Sequence, residues 1–317
     1  MATTPETRPW IRPPVLRAGG CIGIVAPAAP PDPAGIDSGV AALRARGFEC
    51  RIAPHVFAHH GLCAGADADR AADLAAMLDD PGIDAVVCAR GGYGSMRLLP
   101  LWDVGSLRDR PKALVGFSDI TALHAACARS CLVSLHGAMI GDLALEGPGA
   151  INLDALLRAL CDPSPLGIPP WPLGSAPQVL CPGVARGRIV GGNLSLLAAT
   201  LGTPWELDTE GRLLLLEDTR EPAYRLDRYL VQLEQAGKLR AAAGFLIGEL
   251  AQCRPSPGGV EPLAVFAEHL LPLGKACLAG LPLGHGALRW TVPLGVEAEL
   301  DTAAGGLCVL ESAVVAD

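Results

Sequence analysis

This sequence predicts an α/β protein of two domains, with mostly parallel sheets whose faces are covered by helices. Three observations lead there. Short apolar runs alternate with stretches of helical spacing, which is the βα rhythm of a parallel sheet. Glycine-rich and polar segments recur where the apolar runs end, which is where α/β sheets collect their ligands. Seven prolines cluster at 163, 165, 169, 170, 172, 177 and 182, and place a linker near the middle of the chain. At 317 residues the chain suits two domains of ordinary size. The expected division is a loose leader over 1–19, a first domain over 20–162, the linker over 163–182 and a second domain over 183–317.

The elements follow in order. Cys21–Ala26 is a short apolar run ended by Pro27 and reads as the first strand. Ile36–Arg46 has helical spacing at Val40, Leu43 and Ala45 and stops at Gly47. Phe48–Ala53 suits a second strand, Asp69–Leu78 an alanine-rich helix, and Ala85–Ala89 a third strand running into Arg90–Gly94. Ala113–Val115 predicts a fourth strand that turns at Gly116 into a helix over Ile120–Ala128. Beyond the linker, Arg188–Val190 opens a second unit, and strands are expected at Leu213–Leu216, Ala243–Ile247 and Leu307–Leu310. Helices are expected at Asn193–Leu201, Tyr224–Gln235 and Val265–Leu271. In Tyr224–Gln235, Leu226, Tyr229, Leu230 and Leu233 share one face.

Composition narrows the function classes. Half the residues are hydrophobic, so a full core is available, and 18% are charged, which argues against global disorder. The net charge of −8 lacks the electrostatic footprint of a nucleic-acid binder, and 4% aromatics offer no stacking platform for single strands. Glycine and proline make up about a fifth of the chain without a collagen period, as expected for many tight turns. The eleven cysteines are scattered, with no C-x-x-C pair, so neither a disulfide framework nor a structural zinc site is expected. Free thiols in a reducing compartment fit better. Arg8, Arg12 and Arg17 before Gly19–Pro30 loosely imitate a signal peptide, but the apolar core there is only Cys21–Ala26, which suits a strand. No run approaches the ~18 apolar residues of a membrane span. The chain reads as soluble and cytoplasmic, with no nucleic-acid or membrane partner.

Four segments could carry chemistry. Arg90–Gly94 (RGGYG) puts three glycines in five residues after a strand, which suits either backbone N–H groups aimed at an anion or an ordinary tight turn. It has neither the dinucleotide fingerprint nor the P-loop lysine. Gly116–Thr121 (GFSDIT) presents Ser118 on a strand-to-helix turn, resembling a nucleophile elbow without its second glycine, and a helix N-cap serine would look the same. Glu217–Arg228 begins at a strand end, where a carboxylate can be buried to orient a histidine or simply start a helix. Pro282–Gly286 (PLGHG) holds His285 between glycines in a loop, with His136 as its competitor for the part of general base. Serine, carboxylate and histidine together form the minimal set for acyl transfer.

Together these segments resemble the LD-carboxypeptidases, the muramoyltetrapeptide carboxypeptidase family of serine peptidases. That family includes a branch acting on microcin C-type peptidyl-nucleotide toxins. The resemblance runs from about Gly20 to Gly295 and is carried by Ile24–Pro27, Asp84–Arg97, Gly116–Thr121, Gly191–Leu194 with Gly202–Trp205, Leu216–Arg228 and Leu283–Gly286. It implies an N-terminal flavodoxin-like domain and a C-terminal α/β domain with the active site between them. It implies Ser118 as nucleophile, His285 as general base and Glu217, rather than Glu221, as the orienting acid. The N–H groups of Gly92 and Asp119 would form the oxyanion hole. Neither metal nor cofactor is implied, and a homodimer is a family-level expectation. One departure is Ala138, where the family usually has proline after His-Gly.

The leading expectation is therefore a carboxypeptidase that releases terminal D-alanine from muropeptide tetrapeptides in cell-wall recycling. Arg90 or Arg97 is a guess for the cation that meets the substrate carboxylate. The rival is a peptidyl-nucleotide amidase, for which Trp171 is the one aromatic offered for stacking on a nucleobase. A non-catalytic small-molecule binder on two α/β domains is the reading from outside the enzymes.

Overall fold

Two sheets organise the chain. The structure, a computed structural model, describes residues 8–169, 177–256, 258–304 and 306–316. Residues 1–7 of the expected leader and 170–176 of the expected linker, Trp171 among them, lie outside the described residues.

The first half builds β1 (Cys21–Val25), α1 (Pro33–Ala45), β2 (Glu49–Ile52), α2 (Asp67–Asp79), β3 (Ala85–Cys88), β4 (Ala113–Gly116), α3 (Thr121–Arg129), β5 (Ser134–His136) and α4 (Gly147–Cys161). Strands β1, β3 and β4 are apolar and almost fully buried, as strands covered on both faces must be. Helix α1 starts on Asp32, whose carboxylate accepts the Gly35 N–H at 3.2 Å, with Pro33 in the first turn, and it buries Ile36, Val40 and Leu43. The parallel strands run in the order β2-β1-β3-β4-β5, the flavodoxin-like order.

The second half builds β6 (Gln178–Cys181), β7 (Val184–Asn193), α5 (Leu194–Thr200), β8 (Leu213–Thr219), α6 (Ala223–Gln235), α7 (Lys238–Ala241), β9 (Gly244–Ala251), α8 (Pro262–Leu270), β10 (Cys277–Ala279), β11 (Val292–Leu294), β12 (Glu297–Asp301) and β13 (Gly306–Val309). Its sheet runs β13-β12-β7-β8-β9-β10-β6, parallel from β7 through β10 and antiparallel at both edges. Helix α6 buries Leu226, Leu230 and Leu233, while Tyr229 is half-buried.

Two features depart from the expected division. Strand β11, from the C-terminal part of the chain, pairs antiparallel with β5 and completes the edge of the first sheet. The segment expected to be a loose leader is pinned. The Ile11 N–H donates to the Cys131 carbonyl, the Val133 N–H to the Ile11 carbonyl and the Val15 N–H to the Val315 carbonyl, each at 2.9 Å. Leu16 is buried beneath it. Its backbone donors thus find partners far along the chain, at Cys131, Leu160 and Val315. One apolar cluster runs from Ile22 and Val87 through Val292 to Leu213 and Leu300, so the two sheets share a core. Among the described residues no helix is long and apolar enough to cross a membrane.

Candidate active site

Loops at the carboxyl ends of β1, β3, β4, β8 and β9 converge on a cleft of about 620 Å³. That volume is in the range of small-ligand sites. Ser118 follows β4 after Phe117, at φ +63°, a left-handed conformation that costs a non-glycine residue about 1 kcal/mol or more. The N-cap of α3 is Ile120, so Ser118 does not serve as that helix's cap. Its Oγ–H is 2.9 Å from His285 Nε2. The His285 Nδ1–H in turn donates to Glu217 Oε2 at 2.7 Å, which assigns the tautomer.

Glu217 is fully buried near the end of β8, where the register with β9 slips between Leu216 and Asp218. Such irregularities re-aim side chains beside functional sites. Gly284, at φ +104°, lies so close that a Cβ there would fall on the Glu217 carboxylate. The glycine lets the histidine loop wrap over a buried acid. Phe117 packs edge-on against His285 at 4.9 Å and against His136 at 6.0 Å, between the two imidazoles.

His136, the competitor, is buried in β5, and among the described residues neither ring nitrogen has a partner. Burial holds its pKa well below the ordinary value, and His124 and His285 push the same way. Glu221 lies beyond the end of β8 and pairs with Arg225 at 3.4 Å. Asp218 accepts the Ser195 N–H at 2.9 Å and the Asn193 amide at 3.1 Å, and burial pushes its carboxyl up to about 6. Asp119 is buried, and burial raises its pKa against the opposing bonds from Ser95. Gly92, at φ +109°, lines the cleft beside Ser118. A Cβ on Gly92 would sit 2.6 Å from the Ala29 Cβ.

The two guessed cations part company. Arg90 lines the cleft and donates to the Pro30 carbonyl at 3.2 Å. Arg97 is held outside it by Asp67, with Nε–H and Nη2–H donating at 2.8–2.9 Å. Sequence reasoning missed two arginines that the fold brings to the cleft. Arg289 lies 5.2 Å over the Phe117 ring, donates to the Gly284 carbonyl and faces Asp142 at 3.4 Å. Arg220, at φ +61°, donates to Gln252 Oε1 at 3.1 Å. Arg220 stands three residues after Glu217 and Arg289 four after His285, which was the available signal. Half-buried Glu249 was missed as well. Burial raises its carboxyl, and Arg289 and His285 partly offset that. Among the described residues no group of three or more His, Cys, Asp or Glu side chains is arranged to hold a metal.

Comparison with known proteins follows the same outline. Residues 22–137 match the family model described as LD-carboxypeptidase N-terminal domain, and residues 186–300 match the LD-carboxypeptidase C-terminal domain. The chain is 37% identical over 304 residues to the probable murein peptide carboxypeptidase of Bacillus subtilis, covering 92% of each. Its fold is similar to that of the muramoyltetrapeptide carboxypeptidase of Oxalobacter formigenes, with TM-score 0.81, 27% identity and coverage of 94% of this chain and 100% of that one. It is also similar to the microcin C7 self-immunity protein MccF, with TM-score 0.88, 22% identity and coverage of 96% and 99%.

Proposed function

Because this chain belongs to the LD-carboxypeptidase family, we propose that it is a serine carboxypeptidase that releases terminal D-alanine from muropeptide tetrapeptides. The observation that carries the reading is the continuous line from Ser118 Oγ through His285 to the buried Glu217 carboxylate. Ser118 Oγ attacks the carbonyl carbon of the bond between the D-centre of meso-diaminopimelate and D-alanine. His285 Nε2 takes the hydroxyl proton as the C–O bond forms. Glu217 holds the ring in the tautomer that leaves Nε2 free and stabilises the imidazolium. The oxyanion meets the N–H groups of Gly92 and Asp119. Collapse breaks the C–N bond, and His285 returns the proton to the leaving amine. Water, activated by the same histidine, then hydrolyses the acyl-enzyme.

Such a substrate carries several carboxylates, and Arg90, Arg220 and Arg289 at the cleft supply charges to meet them. Arg90 is the proposed partner of the terminal carboxylate. Among the described residues no disulfide joins any cysteine, which supports a cytoplasmic enzyme of cell-wall recycling. The proposed homodimer is tested by light scattering.

D-alanine release from purified disaccharide-tetrapeptide tests the reading. Wild type should release it, and Ser118→Ala should lose roughly 10⁴–10⁶-fold in turnover. Equal release by both proteins removes Ser118 from the mechanism. No release by wild type, with cleavage of a peptidyl-nucleotide instead, moves the substrate to the toxin-amidase branch. Silence on both substrates favours the non-catalytic binder.

A further inference from the structure

Arg70 heads the largest fully buried side chains of the molecule, at 1% exposure. A guanidinium without water is costly unless its donors are met. The helix does not require it, since a leucine would serve the same face of α2 beside Ala71 and Leu74. What Arg70 meets is mainly backbone, while its buried Nε has no partner among the described residues. Its Nη1 donates to the Pro27 carbonyl in the loop after β1 and to the Gly94 carbonyl in the loop after β3, the latter at 3.1 Å. Its Nη2 donates to the Asp67 carboxylate.

The loop it grips is the one that carries Gly92. The Ala29 N–H donates to the Gly91 carbonyl at 3.2 Å, joining the two loops a second time. On the far side the Ser95 N–H donates to Asp119 Oδ2 at 2.7 Å, and the Ser95 hydroxyl donates to the Asp119 carbonyl. Segment 91–95 is thus clamped between Arg70 and the residue that follows Ser118. Gly92, whose conformation only glycine adopts readily, lies inside that clamp.

We infer that Arg70 is a positioning residue. By bridging the Pro27 and Gly94 carbonyls it keeps the Gly92 N–H aimed at the oxygen that becomes charged during attack by Ser118. The inference rests on Ser118 being the nucleophile. A planar fork that reaches two carbonyls and a carboxylate at once is a task for arginine, which lysine performs only in part.

Arg70→Met, Arg70→Gln and Arg70→Lys are compared with wild type in two assays. One is tetrapeptide turnover. The other is the rate of labelling by a fluorophosphonate, in which Ser118 Oγ forms the bond to phosphorus and fluoride leaves. Labelling stoichiometry counts competent sites, so kcat is expressed per site and a lost folded fraction drops out. In Arg70→Met, kcat per site should fall about 10²-fold, as for a small misplacement of reacting groups, with KM held within about twofold. The labelling rate should fall by the same factor, and Arg70→Lys should recover about tenfold of it. If Arg70→Met does not fold, Arg70→Gln decides by the same criteria. A kcat per site within about threefold of wild type, with only Tm lowered, overturns the positioning role. A wild type labelled at Ser118 without turnover fails the substrate assignment alone, and the labelling rates still decide Arg70. A wild type that is neither labelled nor active fails the nucleophile reading, and the inference falls with it.

Discussion

The two sides of the cleft are held by different means. On the side of the first sheet, position is a matter of backbone. Ser118 and Gly92 both have positive φ, and the loop between β3 and Ser95 is tied through main-chain groups. On the side of the second sheet, position is a matter of side chains. Glu217 and His285 are joined by one short hydrogen bond, and the ring is 18% exposed. The backbone-held groups tolerate no added atom, and one of their ties, from the Ser95 N–H to the buried Asp119 carboxylate, runs to a group whose pKa burial raises. The side-chain-held pair is joined by a carboxylate–imidazole hydrogen bond, and it too has little room, since a Cβ on Gly284 would fall on the Glu217 carboxylate. On the proposed mechanism, the backbone-held side carries the attacking oxygen and its oxyanion, and the side-chain-held side carries proton transfer.

The sharpest way to break this comparison is on the side-chain half. Glu217→Gln keeps the shape and removes the charge, so kcat should fall roughly 10⁴-fold with folding intact. A loss of less than about tenfold would mean that orientation of His285 does not come from Glu217. On the backbone half, Gly92→Ala adds one methyl against Ala29 at a positive φ. It should cost roughly 10²–10³-fold in kcat, the magnitude of a lost oxyanion donor, and leave circular dichroism unchanged. Next in size is the contrast between the two arginines. Arg90→Ala should raise KM about tenfold at constant kcat, whereas Arg97→Ala, which leaves Asp67 paired with Arg70, should leave both within about twofold.

The smallest effect lies far from the cleft. His269 on α8 bonds to Asp227 at 2.9 Å and to Glu234 at 3.1 Å, both on α6. Burial lowers its pKa, but the two carboxylates outweigh that and the net shift is upward from 6.5. The protonated ring is therefore favoured in the folded protein. Its stabilisation is fully present below about pH 6.5 and is lost as pH rises through the higher folded value. His269→Gln should lower Tm by about 1 °C at pH 5.5 and by less at pH 8.5. An equal difference at both pH values would show that the clasp is not ionic.

Much of this architecture was legible in the residues. Strands such as Ala85–Cys88 and Leu213–Leu216 announce themselves because burial on both faces demands unbroken apolar runs. The family resemblance singled out Ser118, Glu217 and His285, each at or beyond the end of such a run, and the fold brings the three side chains within hydrogen-bond distance. Strand β5 escaped notice because it is three residues long with polar ends, and β11 because it carries Pro293. The start of α4, Gly147-Pro148-Gly149, reads as a turn and hides fifteen helical residues. Glu249 was invisible for another reason. Its place against Gly286 depends on how the 280–289 loop lies across β9, a distance that no spacing encodes.

Strand β11 has one more consequence, which concerns time. The sheet that presents Ser118 receives its last strand from residues 292–294, and its Ile11 segment is joined through Val15 to Val315. A ribosome must pass residues 292–294 before β11 exists, and Val315 comes later still. Early in synthesis the first sheet must wait with β5 as an open edge, although domains ordinarily fold from the N-terminus as they emerge. Fragments split near 163–182 would inherit the same defect, and the first could be finished only by the second.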